Sequence, residues 1–233
     1  MKPKSSNGVN RTVPGPREKK KTDTHGSILY IDGVSVTFDG FKALSELSLV
    51  VEKGEMRAVI GPNGAGKTTM MDVVSGRTRP DQGRAIFDGT VDLTKLDEAS
   101  IAELGIGRKF QKPTVFENQT VHQNLELALK ADRRVFPTLF RRSIPSHGQR
   151  LQEVLEVIAL HNHRHVQAGS LSHGQKQWLE IGMLLAQDPD LLMIDEPVAG
   201  MTDLETEQTV ELLHRISSNR SILVVEHDME LVR

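Results

Sequence analysis

Apolar and polar positions follow two different periods along this 233-residue chain, and the changes of period mark its parts. From Ile28 the pattern is one of short strands. SILYIDGVSVTF and then ALSELSLVVEKGE, with Asp-Gly and Lys-Gly pairs marking the turns, predict a small antiparallel sheet. MRAVI (Met56 to Ile60) reads as a buried strand running straight into GPNGAGKTTMMDVVSG, whose apolar residues after the glycines predict a helix ending at Gly76. RAIFDGT reads as a further strand and turn, and Asp97 to Leu104 as a short helix stopped by Gly105.

The spacing then becomes helical. TVHQNLELALK opens on a Thr120/Gln123 capping box, and RLQEVLEVIAL repeats apolar residues at i, i+3 and i+4. Between them ADRRVFPTLFRRSIPSHGQ, with its Arg pairs, two prolines, Phe136 and Phe140, reads as a surface excursion open to a partner-contact role. A third helix begins at Ser172 with a capping box through Gln175 and continues through QWLEIGMLLAQ. The chain returns to strand (LLMI), helix (Asp203 to Ser217) and strand (SILVV), without an internal repeat. Strand, Gly-rich loop and helix in this order predict an α/β fold of the P-loop kind.

Composition adds limits. At 37% hydrophobic and 26% charged residues the chain can bury a real core, and a net charge of -2 leaves no whole-surface basic field for nucleic acid. The first 26 residues are different: seven Lys and Arg face only Glu18 and Asp23, with almost nothing to bury. They read as a disordered basic tail, either a solvated leader or a segment suited to anionic lipid or RNA. With Cys absent, disulfide scaffolds, thiolate metal sites and thiol catalysis drop out. No run approaches the roughly 18 apolar residues of a membrane span, and the start lacks the features of a signal peptide. Any membrane role must come through a partner.

The first chemistry lies at Gly61 to Thr68, GPNGAGKT, which matches G-x-x-x-x-G-K-[ST]. Backbone N-H groups of such a loop wrap phosphate, and the helix that follows adds its dipole. On this reading Lys67 pairs with the β and γ phosphates, Thr68 offers its hydroxyl to magnesium, and Thr69 bonds a phosphate nearby. LLMIDE supplies Asp195 for the metal and Glu196 as the general base that polarises water. Alone, that acidic pair would read as a solvated strand end. HNHRH (His161, His163, His165) reads as a solvated loop lacking the spacing of a metal site, Met70 and Met71 as packing, and Trp178 as core or subunit contact.

LSHGQ (Leu171 to Gln175), 20 residues ahead of LLMIDEP, resembles the signature motif of the ATP-binding cassette (ABC) family, usually LSGGQ. The resemblance runs from Ile28 onward. It includes GPNGAGKTT, Gln111 in KFQKPTVF at the Q-loop place, the LLMIDE carboxylates, and His227 in VVEHD at the switch-histidine place. LSHGQKQWLEIGMLL and EPVAGMTDLETE resemble importer ATPases of the branched-chain amino acid class, and most of all the ATP-binding subunits of urea transporters. The resemblance implies a RecA-like core with an antiparallel β subdomain and an α-helical subdomain. The core would take residues 27–111 and 188–233 and the helical subdomain residues 112–187, after the tail at 1–26.

It also implies a head-to-tail dimer, with a copy of this chain or a second ATP-binding subunit, in which ATP and Mg2+ lie between the loop of one chain and the signature of the other. Gly61, Pro62, Asn63, Gly64, Ala65, Gly66, Lys67, Thr68 and Thr69 would hold the phosphates, joined by Ser172, Gly174 and Gln175 of the partner's signature. Ser172 and Gly174 begin a helix, which suits an anion. Thr68, Gln111 and Asp195 would hold the metal, and Glu196, His227, Gln111 and Lys67 would act in catalysis. Phe38 sits where the family stacks an aromatic on adenine, or else is a buried strand residue.

The expected function is therefore the ATPase of an importer for urea or short amides. The protein would be cytoplasmic and peripheral on the inner face of the cell membrane, joined to separate membrane subunits and, indirectly, to a solute-binding protein. A branched-chain amino acid importer is the alternative. A soluble cassette acting on nucleic acid or ribosomes is a distant one, so no nucleic acid partner is expected, and a shortened inactive interaction module is another. Three features depart from the family: His173 in the signature, Thr202 where an Asp is common, although with Glu205 it reads as a capping box for the following helix, and a chain that stops at Arg233, six residues after His227.

Overall fold

A computed structural model describes residues 26–110, 114–131 and 147–227. Residues 1–25, Gln111, the stretch 132–146 and residues 228–233, on which the tail, Q-loop glutamine, excursion and C-terminal readings rest, lie outside them.

Strand β1 (Ser27–Phe38) turns at Asp39 and Gly40 into antiparallel β2 (Phe41–Glu52), pairing Phe38 with Phe41 at the tip. Asp32 and Gly33 make a bulge instead of a turn. The register shifts between Ile31 and Val34, Gly33 has φ 61°, and the backbone of Gly83 lies so close that a Cβ there would stand 2.4 Å from the Gly33 carbonyl. Strand β3 (Met56–Ile60) follows, then helix α1 (Lys67–Val74), and the antiparallel sheet is completed by β4 (Gln82–Phe87) and β5 (Val91–Asp92) in the order β2-β1-β4-β5. Asp97 caps helix α2 (Glu98–Glu103) by accepting from the Ser100 amide at 2.8 Å, and Gly105 stops it.

The second sheet is parallel: β3, β8 (Ser221–Glu226), β7 (Leu191–Asp195) and β6 (Ile106–Lys109), in that order. Its residues explain the continuous apolar runs. Leu191, Met193, Leu223 and Val225 face a core shared with the antiparallel sheet and α1, while Leu192, Ile194, Ile222 and Val224 face a second core. Alternation with period two thus feeds two cores at once, and both strands read as solidly apolar. Each such side chain contributes about 1.5–3 kcal/mol by leaving water. The expectation of a buried strand fails for β3, which is only partly covered and leaves Ile60 exposed, because it is the edge of this sheet.

The second core is closed by helices α3 (Val121–Ala131), α4 (His147–Val157), α5 (His173–Ala186) and α6 (Asp203–Ser217). Three of them start as their sequences dictate. Capping boxes form at Thr120/Gln123, Ser172/Gln175 and Thr202/Glu205. Trp178 is a core residue whose Nε1 donates to Thr209 Oγ1 at 2.9 Å, and Met70 and Met71 are buried as packing. No helix among the described residues is long and apolar enough to cross a membrane.

Candidate functional site

Helix α1 departs from the capping rule that α2, α3, α5 and α6 follow. Its N-cap is Gly66 at φ 88°, without a side-chain cap and without an acid in the first turn. The first backbone N-H groups of the helix therefore have no side-chain acceptor, which is the local chemistry of an anion site. Glycine is obligatory at Gly66, since a Cβ would lie 2.5 Å from the Ala43 carbonyl. Lys67 Nζ donates to the carbonyl oxygens of Gly61 (2.5 Å) and Pro62 (3.0 Å), and the Ala65 amide donates to Pro62 O (3.2 Å), so the loop wraps around its own lysine. The Gly61 amide donates to Glu226 O at 3.3 Å, which anchors the loop to the end of β8 and sets His227 beside it in the chain.

A cavity of about 390 Å³ opens above this loop. It gathers Phe38, Asn63, Gly64, Gly66, Lys67, Thr68, Thr69 and Glu196, together with Phe41 and Ala43. Phe38 is 46% exposed, which corrects the alternative of a buried strand residue. Sequence reasoning missed Phe41, which is 67% exposed and shares the cavity. The signal was present in the Asp39-Gly40 turn, which folds two aromatics three positions apart onto one hairpin tip.

Asp195 and Glu196 have different surroundings. Asp195 ends β7 and is 3% exposed; burial raises its carboxyl from the ordinary value, with Arg108, Lys109 and Lys67 opposing and Glu196 adding to the rise. Glu196 is held at φ 46°, a left-handed conformation costly for a non-glycine, with its amide donating to Val225 O at 2.9 Å. Asp195 and Thr68 line a second cavity of about 590 Å³ with Asp72, Arg77, Thr78, Arg108, Phe110 and Thr114. A hydroxyl and a buried carboxylate are hard oxygen donors, a set that suits Mg2+.

Arg108 was not singled out from the sequence. Its Nη1 donates to Asp72 Oδ1 (2.6 Å) and Ser75 Oγ (2.8 Å), and its guanidinium lies 4.8 Å from the Phe110 ring centre. His227, at the end of β8, has Nδ1 3.5 Å from Glu226 Oε2. Burial raises the Glu226 carboxyl, and the contact with His227 opposes it.

The signature residues are not brought to the loop. Ser172 and Gln175 line a separate cavity of about 370 Å³ that also includes Trp178 and Glu205. Ser172 Oγ donates to Glu205 Oε1 at 2.7 Å, so the start of α5, expected to offer its donors to phosphate, already carries a carboxylate. His173 turns away from the helix start, with Nε2 3.2 Å from Ala199 O. Thr202 caps α6 as expected, and His161, Asn162 and His163 form a 3-10 turn between α4 and α5.

Comparison with known proteins agrees with this geometry. The family model described as ABC transporter matches residues 44–199. The chain is 35% identical over 210 residues to the Archaeoglobus fulgidus protein named "Probable branched-chain amino acid transport ATP-binding protein LivG", covering 88% of this chain and 81% of that one. It is 34% identical to the high-affinity branched-chain amino acid transport ATP-binding proteins LivG of Escherichia coli K12 and BraF of Pseudomonas aeruginosa, with 88% of this chain and 84% of each relative covered. A crystal structure of the ADP conformation of an ATP-binding cassette of an ABC transporter superposes with a TM-score of 0.76 at 30% identity, covering 88% of this chain and 83% of the other. The chain therefore belongs to the ABC transporter family, as one of its ATP-binding, ATP-hydrolysing subunits.

Proposed function

We propose that this chain powers an importer of the branched-chain amino acid class by binding and hydrolysing ATP. The observation that carries the proposal is the single cavity in which Lys67, Thr68, Thr69, the loop glycines and Glu196 meet two exposed aromatics. The solute class rests on the relatives, which are named for branched-chain amino acid transport. The expectation of urea finds no support among those names, so the alternative becomes the main reading.

On this reading Phe38 and Phe41 stack on adenine, while Asn63, Gly64 and Gly66 present backbone N-H groups to the phosphates and Gly61, Pro62 and Ala65, through the Gly61 and Ala65 amide bonds to Glu226 O and Pro62 O, hold the loop in shape around them. Lys67 leaves the Gly61 and Pro62 carbonyls to pair with the β and γ phosphates, and Thr69 bonds a phosphate nearby. Thr68 and Asp195 would hold Mg2+, which when bound neutralises phosphate charge; Gln111 would join them. Glu196 takes a proton from water as its oxygen bonds the γ phosphorus, and the bond to the β-γ bridging oxygen breaks to release ADP and phosphate. His227 holds the γ phosphate. Ser172, Gly174 and Gln175 serve the nucleotide of a second chain, which explains why they stand apart from this chain's own loop. The division into a core (27–111 and 188–233) and a helical subdomain (112–187) belongs to this reading, as do membrane subunits that place the chain on the inner face of the membrane.

Purified Lys67→Ala is expected to lose ATP binding and Glu196→Gln to keep it while turnover falls at least a hundredfold. Normal turnover by Glu196→Gln would refute the general-base role. Uptake of labelled leucine and of urea, measured with candidate membrane subunits and ATP, tests the solute; urea uptake without leucine uptake would restore the earlier expectation.

A further inference from the structure

We infer that the Glu205 carboxylate is an internal occupant of the signature's anion site, which the phosphate of a second chain's ATP has to displace. The inference rests on the head-to-tail sandwich proposed above and adds a competitor to it.

The donors at the start of α5 are few, and the side-chain one is already assigned. Within the capping box the Ser172 amide donates to Gln175 Oε1 (3.0 Å) and the Gln175 amide to Ser172 Oγ (3.2 Å). That leaves the Ser172 hydroxyl proton and the amides of His173 and Gly174. Ser172 Oγ spends its proton on Glu205 Oε1 at 2.7 Å. The Ser172 hydroxyl first, then the Thr202 amide, with a smaller effect from the nearby Gly174 amide, hold this carboxylate below the usual glutamate range. The fit is close enough that a Cβ at Gly174 would lie 2.7 Å from Glu205 Oε1. A hydroxyl has one proton, so it serves the carboxylate or an incoming phosphate, not both. The two anions also repel each other at the same helix end.

Displacement need not unfold α6. The other oxygen, Oε2, accepts from the Thr202 amide and hydroxyl, each at 3.2 Å, and the Glu205 amide donates to Thr202 Oγ1 at 3.3 Å. Rotation of the carboxylate frees Oε1 while the capping box of α6 remains. The same site has a second tie to the catalytic strand: His173 Nε2 contacts Ala199 O, three residues after Glu196. Arrival of phosphate at Ser172 thus works against contacts that begin in the loop following the general base.

The test compares Glu205 with Glu205→Gln in a Glu196→Gln background. Glutamine keeps the acceptor for the capping box and removes the charge. Sedimentation across an ATP titration is expected to show half-maximal dimer at about tenfold less ATP in the Glu205→Gln chain. An equal or greater ATP requirement, with the unfolding midpoint unchanged, overturns the inference. If both chains bind ATP and neither dimerises, the Gly174 amide is followed by NMR as inorganic phosphate is added. A shift in Glu205→Gln with none in the Glu205 chain supports displacement, and equal shifts or none in either overturn it. Failure of both chains to bind ATP instead removes the phosphate-loop reading, and the competitor with it.

Discussion

Lys109, the last residue of β6, is wholly buried, and its Nζ lies 3.7 Å from Glu180 Oε2 on α5. Glu180 Oε1 also accepts from the Thr114 amide (3.2 Å) and hydroxyl (2.9 Å), while Oε2 has no hydrogen-bond donor. Attraction at this separation is about 4–5 kcal/mol at an effective dielectric near 20, and desolvation costs several kcal/mol per ion, so the pair comes out near neutral. The titration directions agree: burial pushes Lys109 down and Glu180 up despite their mutual attraction. Removing one partner is another matter. In Lys109→Met the volume is roughly kept, but Glu180 must stay charged without its cation or take up a proton.

Protonation caps the loss. Neutralising a carboxyl of ordinary value 4.5 costs about 3.4 kcal/mol at pH 7 and about 0.7 kcal/mol at pH 5. Because folding raises this group above its unfolded value, the folded variant binds more protons than the unfolded chain, and its stability must rise as pH falls from 7 to 5. We expect Lys109→Met to lose about 3 kcal/mol at pH 7 and under about 1 kcal/mol at pH 5 relative to the parent, by urea unfolding with unchanged slope. Lys109→Met/Glu180→Gln, which keeps an acceptor for Thr114, should return to within about 1 kcal/mol of the parent at both pH values. A pH-independent loss, or a double variant as weak as the sum of the singles, would refute the reasoning.

Two further outcomes follow from contacts elsewhere. Gly66→Ala puts a Cβ 2.5 Å from the Ala43 carbonyl at a φ of 88°, so ATP affinity by calorimetry should fall more than tenfold, and retained affinity would contradict the backbone account of this loop. Asn124 is fully buried, accepts from the Phe116 amide at 2.8 Å and donates to Phe116 O (3.1 Å) and Thr120 O (3.0 Å). Asn124→Ala should therefore cost about 2–4 kcal/mol in urea unfolding, as an orphaned amide plus a small cavity, and a loss below about 1 kcal/mol would show that water replaces the amide.

What the sequence discloses and what it hides divide along the range of the interactions. Helix starts depend on residues three apart, so Thr120/Gln123, Ser172/Gln175 and Thr202/Glu205 could be read directly and are found as capping boxes. The phosphate loop depends on eight consecutive residues between a strand and a helix, and it too was legible. Register and tertiary pairing are different. Asp32-Gly33 and Asp39-Gly40 have the same composition, yet one is a bulge and the other a turn, because only the first meets the backbone of Gly83, 50 residues further on. Glu205 seemed fully explained as half of a local capping box, and nothing within its own helix shows that its second oxygen reaches Ser172, 33 positions earlier. Lys109 and Glu180 each look like ordinary surface charges, and their burial exists only because β6 and α5 pack together. Long-range polar contacts carry no periodic trace. They are also the contacts that join the signature to α6 and β6 to the helical layer, so the coupling between the two ends of the site had to come from the fold.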